Sequence, residues 1–423
     1  MKLKKRVTET GLRQRRQREE LPVVLPEVSD GIEKNEYYLA VSRRYKLARL
    51  ITAAAFLLFV ILMMTLRSED ITTANLLYLL RDINISSEGG EAFSGVSYSA
   101  EPIQRFAVYR GELLYVTGRE ARLYSATGSI GLSSTISYEE PVIDTSDKFV
   151  LIYDVGGYGF SIYNSFSELH RGELDFAIVS GDIAQSGDFV LVAGGRERRA
   201  TVYLYDSAFE LRTIYRKGDY VSDAALSDDG EILVMTSFGV DEGEYFTDVT
   251  FYTVGVDEPV ATRHIDGEYP LSLVTMEDGF AVTTTAGVYF YGSDGVERGR
   301  YIHGGGIGMV TASDKYVLLT APKNALGSEN SIVILDSDAK VCYNAIVKEK
   351  LVDVSVSAHG EAFLLLQGHA VMIDIADGTE RTTTVGAGAK RLISTGSGTA
   401  LLCMTSFART VDFTGISPNR KDG

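Results

Sequence analysis

Apolar positions along this chain fall into two unlike patterns. Between Leu50 and Leu66 (LITAAAFLLFVILMMTL), 17 residues pass without a charge, and only Thr52 and Thr65 are polar. From about residue 92 onward the apolar residues come in runs of four or five, each introduced by Gly or Asp and flanked by stretches that alternate apolar with polar. The first pattern predicts a helix apolar on every face. The second predicts short strands, some covered on both sides and others on one.

The strand pattern repeats. GELLYVT at Gly111, DKFVLIYD at Asp147, GDFVLVA at Gly187, GEILVMT at Gly230, DGFAVTTT at Asp278, DKYVLLT at Asp314, GEAFLLL at Gly360 and GTALLCM at Gly398 follow one another at 36 to 48 residues, about 41 on average. That interval is the length of a propeller blade, four short strands with their turns. An alternating segment precedes each run (PVIDTS, VSDAALS, VDVSVS) and another follows it (ARLYSA, TVYLYDS, SIVILDSD). The fold class predicted is all-β, an eight-bladed β-propeller, with seven blades as the alternative, preceded by one transmembrane α-helix. The chain's 24 Tyr and 42 Gly suit an all-β array with many turns. After the last run only three strands remain, RLIST, TALLCMT and RTVDF, which would leave an open edge. AFSGVSYS, residues 92 to 99, alternates as a strand and is predicted to supply the missing fourth strand, closing the ring.

The domain boundaries follow: a basic tail over 1–46, the span over 47–67, a juxtamembrane helix and linker over 68–91, the propeller over 92–415 and a short tail over 416–423. At ~1.5 Å per residue the uncharged run covers ~26 Å, and Leu47, Ala48 and a snorkelling Arg49 extend it toward a ~30 Å hydrocarbon core. Cleavage as a signal peptide is not expected, because 49 residues precede the run and Thr65-Leu66-Arg67-Ser68 at its end is no small-residue cleavage site.

Charge sets the orientation. Residues 1–49 hold 13 Lys+Arg and 7 Asp+Glu; subtracting these from 41 and 57 leaves 28 and 50 beyond, a net of −22. The positive-inside bias puts the basic end in the cytoplasm and the acidic bulk outside, at a cell membrane crossed once. Lys2, Lys4, Lys5, Arg6, Arg13, Arg15, Arg16 and Arg18 are expected to rest on anionic lipid at ~1 kcal/mol each. The acidic exterior is expected to repel nucleic acid.

The basic tail, the single span, the NLLYLLRDI segment after it and the first repeat, FAVYRGELLYVTGREARLYSATG, together resemble a family of uncharacterised single-pass membrane proteins of Gram-positive anaerobes. Their exterior part is a PQQ-dehydrogenase-like (quinoprotein-like) β-propeller domain of unknown function. The resemblance implies fold and location and brings no activity with it. Propellers that bind the quinone stack Trp between blades, and this chain has no Trp. No cofactor is therefore expected.

Catalytic chemistry is sparse in the pattern. His170, His264, His303, His359 and His369 stand singly, with no two at metal-ligand spacing. The run His303-Gly304-Gly305-Gly306 is similar to the oxyanion-hole run of esterases, but no G-x-S-x-G nucleophile elbow accompanies it, and it reads as a blade-to-blade loop. Asp228-Asp229-Gly230, Glu277-Asp278-Gly279, Ser293-Asp294-Gly295 and Ala376-Asp377-Gly378 sit where hairpin turns are needed. The denser Asp241, Glu242, Glu244 and Asp248 form a candidate weak divalent-cation set. Cys342 and Cys403, two repeats apart, are expected to be separate buried thiols.

Three loops between second and third strands are long: GGRERR (194–199), SFGVDEGEYF (237–246) and APKNALGSEN (321–330). On a propeller they share one face with the blade-to-blade connections, and long loops on a rigid scaffold are where binding residues gather. Arg196, Arg198, Arg199, Asp241, Glu242, Glu244, Tyr245, Lys323 and Asn324 are the candidate partner-binding residues. The function expected is a non-catalytic scaffold or receptor for an extracellular protein; the alternative is a cell-envelope enzyme or glycan-binding module using the same face.

Overall fold

The structure, a computed structural model, describes residues 45, 48–49, 51–58, 92–196 and 199–419. The chain divides into two units, Met1–Thr72 and Thr73–Gly423. In the first, residues 51–58 are helical, Ile51, Phe56, Leu57 and Leu58 are exposed, and the Thr52 hydroxyl donates back to the Ala48 carbonyl at 2.9 Å. Among the described residues no helix is long and apolar enough to cross a membrane. Most of the expected span, all of the juxtamembrane segment and nearly all of the basic tail lie outside the described residues.

The second unit is an eight-bladed propeller, eight antiparallel four-stranded sheets, seven of which run in sequence order while the eighth takes its outer strand from residues 96–97. The eight apolar runs are the second strands of blades 1 to 8, so the seven-blade alternative falls. The first strands pack against one another around the axis: Arg105–Tyr109, Pro141–Thr145, Ile178–Ile183, Tyr220–Leu226, Pro270–Met276, Val310–Ala312, Leu351–Val356 and Ala389–Gly396. Gly is needed at several entries to the second strand, because Gly111, Gly187, Gly230, Gly360 and Gly398 all take positive φ (68° to 94°).

The packing explains why the second strands are apolar at every position. Each faces a neighbouring blade on both sides, and its residues alternate between the two junctions: Leu113 and Tyr115 pack toward blade 8, Leu114 and Val116 toward blade 2. The buried core accordingly falls into eight clusters, one per junction. A fully buried Leu, Val or Ile there stabilises by ~1.5–3 kcal/mol. Third strands are nearly as buried, while fourth strands expose alternate residues, as in Glu297–Ile302.

Ring closure follows the sequence expectation. Val96–Ser97 pairs antiparallel with Phe407–Asp412 as the outer strand of blade 8, Val96 opposite Ala408 and Ser97 opposite Phe407. Tyr98 locks the seam, its ring stacked on Tyr115 at 4.5 Å and its hydroxyl 2.7 Å from the Met404 carbonyl.

The first strands carry a feature that the apolar pattern did not disclose. Those of blades 3, 4, 5, 7 and 8 skip a residue in register near their start, between Ile178 and Ser180, Val221 and Asp223, Pro270 and Ser272, Leu351 and Asp353, and Ala389 and Arg391. Such a bulge re-aims the side chains that follow it.

Candidate functional site

Two places stand out. The first is the face predicted from the long loops. Residues 237–246 are not a loop: strands Ile232–Asp241 and Glu244–Thr253 pair to the very end, Asp241 opposite Glu244, and turn through Glu242 and Gly243 alone. Both turn residues take positive φ (48° and 93°), the type I′ geometry that matches strand twist. At ten residues each, these strands outrun the five to seven of the other second and third strands, so the hairpin projects by ~10 Å.

At its base lies a ladder of rings. The Arg199 guanidinium sits 5.1 Å over Tyr220; Tyr220 stacks on Phe238 at 5.5 Å and 21°; Phe238 meets Tyr269 edge-on at 4.5 Å; Tyr269 meets Tyr245 at 6.2 Å. The series runs from blade 3 across blade 4 to the connection into blade 5. Tyr220 is 50% exposed and Tyr245 56%, so ring surface that would ordinarily be buried faces outward. Tyr220, Phe238 and Tyr269 were not among the sequence candidates. Their signal is aromatics at strand starts and connections, where turn residues are the rule.

The ladder unites Arg199 with Tyr245, and the hairpin places Asp241, Glu242 and Glu244 beside it, around a recess of about 330 Å³ that His264 and Asp266 also line. His264 bridges Asp248 (2.6 Å) and Asp266 (3.0 Å), and the Asp248 hydrogen bond holds its pKa above the ordinary histidine value. The divalent-cation set does not assemble: Asp248 lies opposite Ser237, four residues along the strand from Asp241, and it is engaged by His264. Among the described residues no group of three or more His, Cys, Asp or Glu is placed to hold a metal ion.

Other candidates lie apart. Arg196 is exposed on its loop, and Arg198 lies outside the described residues. Asn324 organises its own loop, its side-chain oxygen accepting from the Ser328 N–H at 3.1 Å. Lys323 neighbours His303, whose pKa is lowered by burial first and by that lysine second. The HGGG run does connect blades 5 and 6, as the sequence predicted. Both thiols are free; Cys403 is buried, but Cys342 is only partly so, because it lies on an outer strand near the turn carboxylate of Asp336.

The second place was missed altogether. Around the axis is a cavity of about 600 Å³, reaching the face opposite the long loops, where first strands turn into second ones. Five carboxyl groups line it, those of Asp144, Asp182, Asp223, Asp228 and Asp314, and no Lys, Arg or His does. Three of them staple blades together. The Asp144 Oδ2 accepts from the Ile183 N–H at 2.8 Å, the Asp182 Oδ2 from the Leu226 N–H at 2.8 Å, and the Asp223 Oδ2 from the Leu273 N–H at 3.1 Å. A fourth staple, from Asp353 to the Leu392 N–H at 2.9 Å, joins blades 7 and 8 away from this cavity. Although each of the three faces water-sized space, protein surrounds it, and loss of hydration pushes Asp144 and Asp223 up to about 6 and Asp182 well above the ordinary carboxylate range. The charge of Asp144 adds to the effect of burial on Asp182, since the two carboxyls line the same cavity. The sequence signal was an Asp recurring at a polar position of the alternating strands VIDT, VSGDI, VSDAAL and LVDVSV.

Comparison with known proteins agrees on the fold. The sequence model of a family described as "Family of unknown function (DUF5711)" matches residues 94–408. No curated protein matches the chain. Among solved structures, BamB from Moraxella catarrhalis superposes with a TM-score of 0.52 at 10% identity, covering 76% of this chain and 99% of that one. The C-terminal WD40 domain of Sif2 gives 0.54 at 10%, with 76% and 99% covered. Chaetomium thermophilum Sqt1, solved bound to the N-terminus of a ribosomal protein, gives 0.54 at 10%, with 77% and 100% covered. At such identities the likeness concerns the propeller alone.

Proposed function

The chain belongs to DUF5711, a family of unknown function, and from that premise we propose that it is a non-catalytic binding scaffold, anchored by residues 47–67 at a cell membrane, whose exterior propeller docks a protein segment on the ring ladder. The observation that carries this reading is the series Arg199, Tyr220, Phe238, Tyr269 and Tyr245 at the foot of an over-long hairpin, with Arg199, Tyr220 and Tyr245 exposed and the two rings between them half-buried. Exposed aromatics with an arginine among them are the usual anchors of protein interfaces, and stiff side chains lose little entropy when a partner covers them. The four carboxylates of the adjoining recess, Asp241, Glu242, Glu244 and Asp266, favour a segment that carries Lys or Arg beside its apolar residues. The uncharged run and the basic flank of the tail support the membrane anchor and the exterior placement.

The test is photocrosslinking in cells with the full-length chain, the probe placed at Tyr220 or Tyr245, or at Thr127 in a turn on the opposite face. One discrete protein adduct is expected at 220 and 245, absent at 127, and reduced ~10-fold or more when Phe238 and Tyr269 are both changed to Ala. Equal adducts on the two faces would overturn the reading. A saccharide recovered at the ladder in place of a protein would give the site to the glycan-binding alternative, since tyrosines also stack on sugars.

A further inference from the structure

The axial cavity does not belong to the ladder and lies toward the other face. Its walls bring together three carboxyl groups from consecutive inner strands, each already holding a backbone N–H of the next blade through Oδ2. All three line the one cavity; Asp144 and Asp223 each raise the cost of charging Asp182, and Asp144 raises that of charging Asp223. The groups that face the trio are known from every side: Tyr153 from the second strand of blade 2, Ser180 and the Thr145 and Ala224 amides from the inner strands, and Asp228 and Asp314 at the mouth. None of these is cationic. Three like charges in one enclosed space with no counter-charge cannot all be ionised cheaply, and a proton on any of them removes repulsion without breaking a staple, because Oδ2 keeps its N–H.

We propose that Asp144, Asp182 and Asp223 form a built-in acid-responsive clasp, in which proton uptake in the mildly acidic range tightens the junctions that join blades 2, 3, 4 and 5. The direction follows from linkage. The folded chain holds protons on these groups at pH values where the unfolded chain has released them. For Asp144 and Asp223 the penalty is therefore fully present above about pH 6 and is lost as pH falls toward the ordinary carboxylate value near 4, and Asp182, raised well above that value, acts in the same direction. Acidification stabilises this sector, the reverse of what a paired surface carboxylate does.

The experiment is thermal melting of the full-length chain in detergent between pH 8 and pH 5, beside the variant Asp182→Asn. Asn keeps an acceptor for the Leu226 N–H and carries no charge, so it imitates the protonated state. The wild type is expected to gain on the order of 5 °C on acidification, and the variant to melt higher at pH 8 and to lose more than half of that gain. Parallel curves with a constant offset would overturn the clasp, whatever the general effect of the other acidic residues. Should the variant not fold, amide hydrogen exchange in the wild type decides. Protection at Ile183, Leu226 and Leu273, corrected for intrinsic rates, is expected to rise on acidification by at least threefold more than at Leu392, and equal changes at all four would refute the proposal.

Discussion

The junction between blades 4 and 5 and that between blades 7 and 8 are built alike and charged differently. In each, a bulge near the start of the inner strand aims an aspartate, Asp223 or Asp353, at the next blade, where its Oδ2 takes the N–H of a buried leucine, Leu273 or Leu392. In each, a second bulge precedes the residue just before that leucine. Here they part. Blade 5 offers Ser272, whose hydroxyl is buried with no hydrogen-bond partner among the described residues, whereas blade 8 offers Arg391, with Nη1 3.4 Å from the Asp353 Oδ1. Burial raises both carboxyls, but at Asp353 the guanidinium counteracts it, while Asp223 goes to about 6. The backbone staple is thus a device of the ring's geometry, and charge balance is a separate choice that the fold can make either way. The bare carboxylates of blades 2 to 4 are not forced by the architecture.

The comparison is most exposed to truncation of the two aspartates. Asp353→Ala strands a buried N–H and leaves Arg391 without its partner, and about 2–3 kcal/mol of unfolding free energy is expected to be lost at pH 8. Asp223→Ala strands an equivalent N–H but also removes one of three repelling charges, so the net loss is expected to be about 1 kcal/mol. Urea denaturation of both variants measures the difference. Equal losses would mean that the missing cation is of no consequence.

Arg391→Met probes the same contrast from the cation's side. Arg391 is half exposed, so solvent screening limits the expected loss to about 1 kcal/mol at pH 8. Without the guanidinium the Asp353 carboxyl rises further, the folded state takes up its proton sooner as pH falls, and the loss should shrink toward pH 5. A loss of equal size at both pH values would assign Arg391 a packing role and not an electrostatic one.

Much of this contrast lay outside what the residue pattern discloses. The second strands announce themselves because a strand sandwiched between two blades must be apolar on both faces, as Leu113 through Val116 are, and the closing strand is legible because an open edge at Phe407–Asp412 demands a partner. The hairpin at 237–246 reads as a loop because its tip is acidic; only the pairing of Val240 with Tyr245 reveals strands continuing past the blade's rim. Ladder and staples are harder still. Tyr220 and Tyr269 are separated by 49 residues and meet only through Phe238, and a bulge at Val221/Asp223 leaves no mark in the apolar periodicity while deciding where Asp223 points. The four inner-strand aspartates were visible as polar interruptions, but their partners are backbone amides, which every residue but proline possesses and no sequence pattern distinguishes.

The smallest effect expected is the sharpest on mechanism, because it transplants one junction into the other. Ser272 occupies in blade 5 the place that Arg391 holds in blade 8, after a bulge and before the donor leucine. In Ser272→Arg the new guanidinium has Asp223 within the reach that Arg391 has to Asp353, and it should draw the Asp223 carboxyl back down from about 6. The penalty it relieves exists only where Asp223 is ionised in the folded state. A gain of about 0.5–1 kcal/mol is therefore expected at pH 8, fading through pH 6 and gone near pH 4, where Asp223 is protonated with or without the arginine. A steric cost of fitting the longer side chain would appear equally at every pH, so the change in the variant-minus-wild-type difference between pH 8 and pH 4 isolates the charge effect from the packing one. If that difference is flat, the two junctions differ in something other than their counter-charge. If it vanishes when Asp223→Asn is added, the guanidinium acts through that carboxyl and not through Asp182 or Asp228.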